Sequence, residues 1–484
     1  MPALPRKRVS ALILGSGQSG TPLAVALARE AGRPTVLVER AALGGTCVNT
    51  GCTPTKTMIA SGRVARVASR AGEFGVFQKG GGGLVVDLRV VRARMRGVVE
   101  RWRRGSEERV EGVVGLEVLR GEARFVGERV VRVSLRGGGE VEVEGEEVFV
   151  DVGERPAGIV GLEGLEGVGE GRVLDSTSVM ELGEVPRRLV VVGGGYIGME
   201  FGQLFRRLGS EVVVVQRGKQ LLPREDPEIA QALKEICEDE GMEIILNATT
   251  TKVTPATSKD NAFSLQYRTS SGTLHSTTGT HLLLATGRIP NTDTLNLPSP
   301  GIKTTPGGHI LVSPTLQTSA PNVYAMGDCH GGPAFTHVSY DDYRVLRANL
   351  IDKLPAPATT AQRRDQVPYV VYTDPQLGHV GLHEAEARAR FPSDTERVKT
   401  ASMPMASVAR AVETGETRGL MKAVVDGESG AILGFSCLGA EGGEVMSLVQ
   451  TAMMGGLPWW RLRDAVFAHP TWAEGLNNLW GRLE

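Results

Sequence analysis

Val9-Ser10-Ala11-Leu12-Ile13-Leu14-Gly15-Ser16-Gly17-Gln18-Ser19-Gly20 decides how the chain is read. An apolar run ends in three glycines spaced Gly-x-Gly-x-x-Gly. A helical pattern follows over residues 22–30, and a second strand over 35–38 closes on Glu39. Each glycine has a separate task. Gly15 makes the tight turn, Gly17 lets the backbone approach a pyrophosphate, and Gly20 packs helix on strand. The helix start turns free N–H groups and a positive dipole end toward the phosphates, and a carboxylate at Glu39 can bind ribose hydroxyls. The dinucleotide contacts expected here are Gly15, Gly17, Gln18, Ser19, Gly20 and Glu39.

The same grammar recurs downstream. Residues 188–192 read as a strand, Gly193-Gly194-Gly195-Tyr196-Ile197-Gly198 as the turn, 199–208 as a helix and 211–215 as the next strand. Gly193, Gly195, Tyr196, Ile197 and Gly198 are the expected contacts of a second dinucleotide. This second unit does not end in an acid but runs Val215-Gln216-Arg217-Gly218-Lys219. A carboxylate there would repel a 2′-phosphate, whereas Arg217 or Lys219 can pair with one. The reading therefore leans to NADPH at Gln216 and Arg217. NADH stays open, because Arg217 can equally be a solvated surface residue.

Bulk properties narrow the classes. With 484 residues, the chain has length for roughly three domains. A formal net charge of -1 leaves no electrostatic footprint for nucleic acid or an anionic membrane. No apolar run approaches the roughly 20 residues a membrane span needs. The basic start runs straight into the first strand and reads as no signal peptide, so a cytoplasmic enzyme is expected. Five cysteines in such a length make no secreted disulfide framework.

Between the two fingerprints lies an arginine-rich helical stretch, 87–111, read as a solvated face with its valines and Trp102 turned inward. Alternating strands over 122–126, 130–135 and 140–150 read as a small antiparallel meander. Gly80 to Gly83 and Gly137 to Gly139 mark loops. Residues 248–280 read as short strands with turns, 350–366 as an Ala/Pro/Thr-rich linker, and 367–484 as a further domain.

Cys47 and Cys52 stand in Gly44-Gly45-Thr46-Cys47-Val48-Asn49-Thr50-Gly51-Cys52-Thr53-Pro54-Thr55-Lys56. A pair this close, beside a probable dinucleotide site, reads as a redox-active disulfide. A zinc site would need further ligands at suitable spacing, and the reading finds no second close Cys or His pair. Pro54 is at home in a first helical turn, which puts Cys52 near a helix N-terminus, where thiol pKa values fall. Lys56 adds positive charge one turn on. Cys237, Cys329 and Cys437 read as packing residues.

This run resembles the active-site signature of the class I flavoprotein disulfide reductases, which include glutathione reductase, dihydrolipoyl dehydrogenase and mercuric reductase. The resemblance extends over nearly the whole chain. Ala285-Thr286-Gly287-Arg288-x-Pro290-Asn291 is similar to the segment where the family re-enters its FAD domain. Asn322-Val323-Tyr324-Ala325-Met326-Gly327-Asp328 is similar to the second FAD motif. Residues 372–381 resemble the start of the dimerisation domain, and His469-Pro470-Thr471-x-x-Glu474 the C-terminal catalytic motif.

The resemblance implies an α/β fold with two Rossmann-like domains and an α+β dimerisation domain. The implied order is an FAD domain over 1–155 and 287–352, an NAD(P)H domain over 156–286, a linker over 353–366 and an interface domain over 367–484. It implies FAD contacts at Gly45, Thr46, Lys56, Gly287, Arg288, Gly327 and Asp328, and a homodimer. Cys52 would face the flavin and Cys47 would attack substrate. Lys56 would pair with Glu200, Tyr196 would cover the nicotinamide pocket, and His469 from a second subunit, oriented by Glu474, would serve Cys47 as acid and base. The logic also stands on general chemistry, since the thiolate is the nucleophile and an imidazole can hold its proton. Thr471 and Glu474 also read as a helix capping box.

Three departures bear on substrate. Asp151-Val152-Gly153 stands where the family often has alanine or threonine before Thr-Gly, with no consequence expected. The chain shows neither a terminal vicinal cysteine pair nor an N-terminal Cys-x-x-Cys, which argues against efficient mercury detoxification. Gln216-Arg217 supply no acid of the kind dihydrolipoyl dehydrogenase favours. The expected function is electron transfer from NADPH through FAD to Cys47–Cys52, and on to a disulfide or thiol-reactive small molecule. The alternatives are a dihydrolipoyl dehydrogenase, a mercuric or other metal-ion reductase, and a flavin-bearing scaffold.

Overall fold

The computed structural model describes residues 4–77, 84–159, 161–256, 262–364 and 366–483. The chain divides into two compact units. The first is Met1–Thr57, Arg92–Ala157 and Arg288–Asp365, and the second is Met58–Val91, Gly158–Gly287 and Gln366–Glu484. The loop expected at Gly80 to Gly83 lies outside the described residues.

The first unit is built on a parallel sheet. Strand Arg6–Leu14 pairs with Thr35–Glu39 on one side and Glu140–Val150 on the other, and Val323–Ala325 extends the sheet beyond Glu140–Val150. The central strand is apolar on both faces because both are covered, as parallel sheets require. Its side chains alternate: Leu12 and Leu14 enter one core, Ala11 and Ile13 another. Helix Gly20–Arg29 buries Leu23, Ala24 and Leu27 against the second of these cores.

The expected meander is present but is part of longer strands. Leu116–Phe125 begins parallel to Thr35–Glu39 and then turns antiparallel to Val130–Leu135 from Gly121 onward. Glu140–Val150 pairs antiparallel with Val130–Leu135 over residues 140–144 and parallel with Arg6–Leu14 over residues 142–150. The arginine-rich helix is Leu88–Val110. Its inward residues are Leu88, Met95, Val99 and Val110, whereas Trp102 is 54% exposed and Val90 65%. The expectation of an inward Trp102 is therefore corrected: seven residues from Met95, it stands at the edge of the inward face, and its large ring reaches into solvent. The supposed linker also holds structure, since Thr360–Arg363 is helical and is opened by a Thr359–Gln362 capping box.

The second unit contains the second nucleotide-type sheet, all parallel, in the order Glu243–Ile245, Glu211–Val215, Arg188–Val192, His281–Leu284, Val173–Leu174. The Thr/Ser-rich stretch forms three antiparallel strands, Ala248–Pro255, Phe263–Thr269 and Leu274–Gly279. The C-terminal region is a five-stranded antiparallel sheet. Helix Gly442–Met454 lies on it, around a core that includes Phe435, Met446, Val449 and Trp480.

A buried ion cluster fastens two segments of the second unit. Arg207 pairs with Glu240 at 2.6 Å and with Asp374, and its side chain is 5% exposed. Arg418 also reaches Glu240, at 2.6 Å. Cys237, Cys329 and Cys437 are fully buried, as expected of packing residues.

Candidate active site and nucleotide cradles

Backbone sterics explain the first glycine fingerprint. Gly15 has φ +105 and lies against the Asp151 carbonyl, a conformation that favours glycine. A Cβ on Gly17 would stand 2.6 Å from Asp151 Oδ2, and one on Gly45 would stand 2.8 Å from the Gly17 Cα. The loop is tied down around this cradle. Gln18 Nε2 donates to the Gly44 carbonyl at 3.1 Å, and Ser19 donates its hydroxyl hydrogen to the Ser339 carbonyl. Glu39 is buried and accepts from the Ser16 amide (2.9 Å), the Ser16 hydroxyl (2.6 Å) and the Ala41 amide (2.6 Å). A glycine-lined cradle that excludes side chains, with a carboxylate at the end of the second strand, fits the pyrophosphate and ribose of FAD.

Asp151 is the residue here that sequence reading undervalued. Its carboxylate is buried, and Oδ2 accepts the Gly20 amide hydrogen at 2.7 Å. Burial pushes its pKa well above the usual carboxylate range. The Gly20 amide opposes the shift, while Asp328, Asp342 and Glu39 add to it. Asp328 lies in the turn Gly327–His330 and accepts from the Ser339 hydroxyl at 3.2 Å. Its pKa is also raised, by burial first and Glu154 next. Arg288 donates to the Glu154 carbonyl at 2.7 Å. Gly287 has φ +125.

The cysteine loop belongs to the same unit. Thr46 and Cys47 lie in the short helix Gly45–Asn49, and Cys52 opens helix Cys52–Ser69. Both cysteines are free thiols, Cys47 half-buried and Cys52 exposed. The neighbouring Cys52 thiol, then burial, pushes the Cys47 thiol up, while Thr336 and the Lys56 ammonium pull it down. Cys52 Sγ lies 3.4 Å from Thr336 Oγ1. Asn49 fixes the loop: its Nδ2 donates to the carbonyls of Leu43 and Gly45, both at 2.9 Å, and its Oδ1 accepts from Arg103 Nε at 2.7 Å. Arg103 thus has a task that the solvated-face reading of its helix did not anticipate.

In the second unit Gly193 repeats Gly15, with φ +110 against the Ala285 carbonyl, and a Cβ on Gly198 would overlap the Gly193 carbonyl. Gly195 caps helix Tyr196–Leu208, in which Ile197 is half-buried. Gln216 accepts the Gly194 amide hydrogen at 3.0 Å, as Glu39 accepts that of Ser16. Arg217 and Lys219 are exposed. This cradle fits a second dinucleotide whose ribose end meets an amide and cations rather than an acid. Tyr196 donates its hydroxyl hydrogen to Glu225 Oε1 at 2.8 Å, and its ring stacks on Tyr369 at 5.6 Å. Glu200 is buried and accepts the Tyr372 amide hydrogen at 2.8 Å. Lys56 belongs to the first unit and Glu200 to the second.

His469 precedes Pro470 across a cis peptide bond. Its Nδ1 stands 2.9 Å from both Glu474 oxygens, and its side chain is 65% exposed. The Glu474 carboxylate holds its pKa above the usual imidazole range. Thr471 Oγ1 accepts the Glu474 amide hydrogen at 3.3 Å. The following helix, Gly475–Trp480, is capped by Glu474. The expected capping box is therefore half made, one turn ahead of the helix.

Comparison with known proteins places this geometry. Residues 9–342 match the family described as pyridine nucleotide-disulphide oxidoreductase, and residues 367–479 match its dimerisation domain. The chain is 34% identical to the probable pyridine nucleotide-disulfide oxidoreductase RclA of Escherichia coli (strain K12), over 99% of this chain and 100% of that one. It is 33% identical to a mercuric reductase of Staphylococcus aureus, over 96% of this chain and 81% of that one. A solved structure titled HOCl-induced flavoprotein disulfide reductase RclA from Escherichia coli superposes with a TM-score of 0.84 at 33% identity, covering 98% of this chain and 99% of that one.

Proposed function

The chain belongs to the pyridine nucleotide-disulphide oxidoreductase family, and we propose that its Cys47–Cys52 pair passes electrons from NADPH to a small disulfide or thiol-reactive oxidant. Membership makes the protein an oxidoreductase that binds FAD and NAD(P)H, with a dimerisation domain over residues 367–479. Among the described residues no helix is long and apolar enough to cross a membrane. The observation that carries the proposal is the Cys47 thiol held against Cys52 in a loop that Asn49 and Arg103 fix, beside the FAD cradle.

The chain's own residues divide the work as follows. Bound FAD supplies two-electron transfer between the nicotinamide and a disulfide. Cys47, as thiolate, attacks one sulfur of a substrate disulfide, forming a mixed disulfide and releasing the other half as a thiolate. His469 of a second copy, its Nδ1–H held by Glu474, gives that leaving sulfur its proton from Nε2. Cys52 then attacks the Cys47 sulfur, closing the Cys47–Cys52 disulfide and releasing the second thiol. Two electrons and one proton from NADPH, with a second proton from solvent, restore the dithiol. Lys56 keeps positive charge by the thiolates, and Tyr196 covers the nicotinamide pocket. Gly45, Thr46, Gly327, Asp328, Gly287 and Arg288 complete the FAD contacts.

The exposed cations Arg217 and Lys219 support NADPH over NADH. The domain order of this reading is FAD (1–155 and 287–352), NAD(P)H (156–286), linker (353–366) and interface (367–484), in a cytoplasmic homodimer. Exposed Met454, Leu457 and Val466, in the sequence leading up to His469, support burial in that dimer. Likeness to an HOCl-induced reductase favours a thiol-reactive oxidant as substrate.

The test is NADPH oxidation against glutathione disulfide, lipoamide, an aromatic disulfide, hypothiocyanite and Hg(II), with Cys47→Ser alongside. Turnover that vanishes in the variant supports the thiol relay, and the best substrate names the branch. Turnover that survives removes the cysteine pair from the mechanism.

A further inference from the structure

Next to Tyr196, within the second unit, Glu225, His379 and His383 bring one oxygen and two ring nitrogens together, no two of these atoms more than 4.8 Å apart. Glu225 is 4% exposed and His379 2%. His379 lies on strand Gln376–Gly381, and His383 precedes helix Glu384–Arg390. Glu225 lies in the turn ahead of helix Pro227–Asp239. We propose that Glu225, His379 and His383 bind a divalent transition-metal ion of the zinc class.

Glu225 carries an orphaned buried atom, since its Oε2 has no hydrogen-bond partner. Buried polar atoms are nearly always satisfied, and an unpaired carboxylate oxygen is costly to bury. The buried cation paired with Asp226 is already committed. Lys422 is shared by Asp226 (3.3 Å), Glu384 (2.7 Å) and Glu228. Acidic groups therefore crowd the site, and the charge it lacks is positive.

The outer shell is that of a metal site. Ligating imidazoles are usually held through their other nitrogen by a carboxylate or a backbone carbonyl. Asp226 Oδ2 lies 3.8 Å from His383 Nδ1, which leaves Nε2 for the ion. His379 pairs through both ring nitrogens, Nδ1 with the Ser436 hydroxyl (2.8 Å) and Nε2 with the Gly381 carbonyl (3.1 Å), so ion binding releases one of these bonds and keeps the other. The Tyr369 hydroxyl, 2.7 Å from Glu225 Oε1 and 3.2 Å from His383 Nε2, is the nearest fourth donor.

The two imidazoles now stack with centroids 3.9 Å apart. Zinc–nitrogen bonds of about 2.0–2.1 Å require donor atoms about 3.3 Å apart, so binding splays the rings and draws the donors inward. A nitrogen and oxygen donor set without sulfur selects borderline ions over soft Cu(I), and two imidazoles select against magnesium and calcium. With the Tyr369 hydroxyl as fourth donor, the site would be filled by protein ligands alone, as structural zinc sites are. Its role is to fasten the turn carrying Glu225 to the C-terminal sheet.

The test uses the FAD-loaded enzyme with Cys47–Cys52 oxidised, so that no thiolate competes. After chelator treatment it is dialysed against Zn(II), and bound metal is measured. The expected result is one tightly held zinc per chain. Glu225→Gln and His383→Asn should each weaken binding at least tenfold, and His469→Ala, which removes an exposed imidazole elsewhere, should leave it unchanged. FAD content and melting temperature report whether each variant folds. No retained zinc, or an affinity unchanged from the parent enzyme in both variants, overturns the proposal. Should a variant fail to fold, zinc X-ray absorption on the unaltered enzyme decides. A nitrogen/oxygen shell with two imidazoles supports the site, and a sulfur shell or a single imidazole refutes it.

Discussion

His469 turns Nδ1 onto both carboxylate oxygens of Glu474, each at 2.9 Å. That contact assigns the ring hydrogen to Nδ1 and leaves Nε2 for proton exchange. It also raises the imidazole pKa, the hydrogen bond to Glu474 first and its charge second. The imidazolium therefore persists to higher pH than an ordinary histidine, and activity that needs it as an acid is lost as pH rises through the raised value. Glu474→Gln should move the alkaline limb of the kcat/KM profile to lower pH. His469→Ala should cost about 10²–10⁴-fold in turnover. An unmoved limb in Glu474→Gln would separate His469 from the titration.

Asp151 accepts the Gly20 amide hydrogen at the start of the first cradle helix, yet burial favours its neutral form. With the folded pKa raised, the folded chain holds a proton that the unfolded chain releases near the ordinary value of about 3.9. Stability attributable to this group is therefore full below that value and falls as pH rises toward the folded pKa. Asp151→Asn keeps an acceptor for Gly20 and removes the titration. Its melting temperature should fall less than that of the parent between mildly acidic and alkaline pH, with FAD retained. Parallel curves would refute this.

Legibility divides along the same physical line as these sites. Gly15, Gly17 and Gly20, and Gly193 and Gly198, obey backbone sterics within a few residues, so a linear string displays them. His469 and Glu474 are five positions apart and are equally local. The partners of Asn49 and Tyr196 are not: Arg103 and Glu225 arrive from other elements along paths that only the packed fold defines. His379 and His383 stand four residues apart, a close pair that the reading of the sequence passed over. Their third member, Glu225, reaches them only through the fold, so the pair carried no ligand signal by itself. Trp102 failed for a different reason, because its helix is mostly solvated and one large side chain does not define the inward face.

Arg207 is the buried hub between Glu240 and Asp374. Removing one partner of such a pair leaves uncompensated buried charge. Arg207→Ala should destabilise the chain by about 3–5 kcal/mol, read as a lower denaturant midpoint. Glu240 is held below the usual carboxylate range, its arginine contacts outweighing burial. That part of the stability is present above the ordinary value near 4.3 and is lost as pH falls through the lower folded value. A surface-like loss below about 0.5 kcal/mol would contradict the burial argument.

Arg217 follows Gln216 at the end of the second nucleotide strand and is exposed. If it meets the 2′-phosphate, its guanidinium contributes a charge-assisted contact of about 1.5–3 kcal/mol, or about 10–150-fold in affinity. Arg217→Ala should raise KM for NADPH within that range and leave KM for NADH unchanged. An equal effect on both coenzymes would assign Arg217 to general structure and return the choice to Lys219.

Cys52 opens its helix, exposed and 3.4 Å from Thr336, while Cys47 is half-buried with its thiol pushed up by that neighbour. The asymmetry fits a division in which Cys52 supplies the thiolate nearer the cofactor and Cys47, its thiol held protonated beside that neighbour, yields its proton before it attacks substrate. Cys52→Ala removes the leading cause of the Cys47 shift, so the Cys47 pKa should fall and its alkylation by iodoacetamide at neutral pH should accelerate. The same variant should lose the long-wavelength thiolate-to-flavin charge-transfer absorbance on two-electron reduction, and Cys47→Ser should keep it. Absorbance that persists in Cys52→Ala and disappears in Cys47→Ser would reverse the two roles.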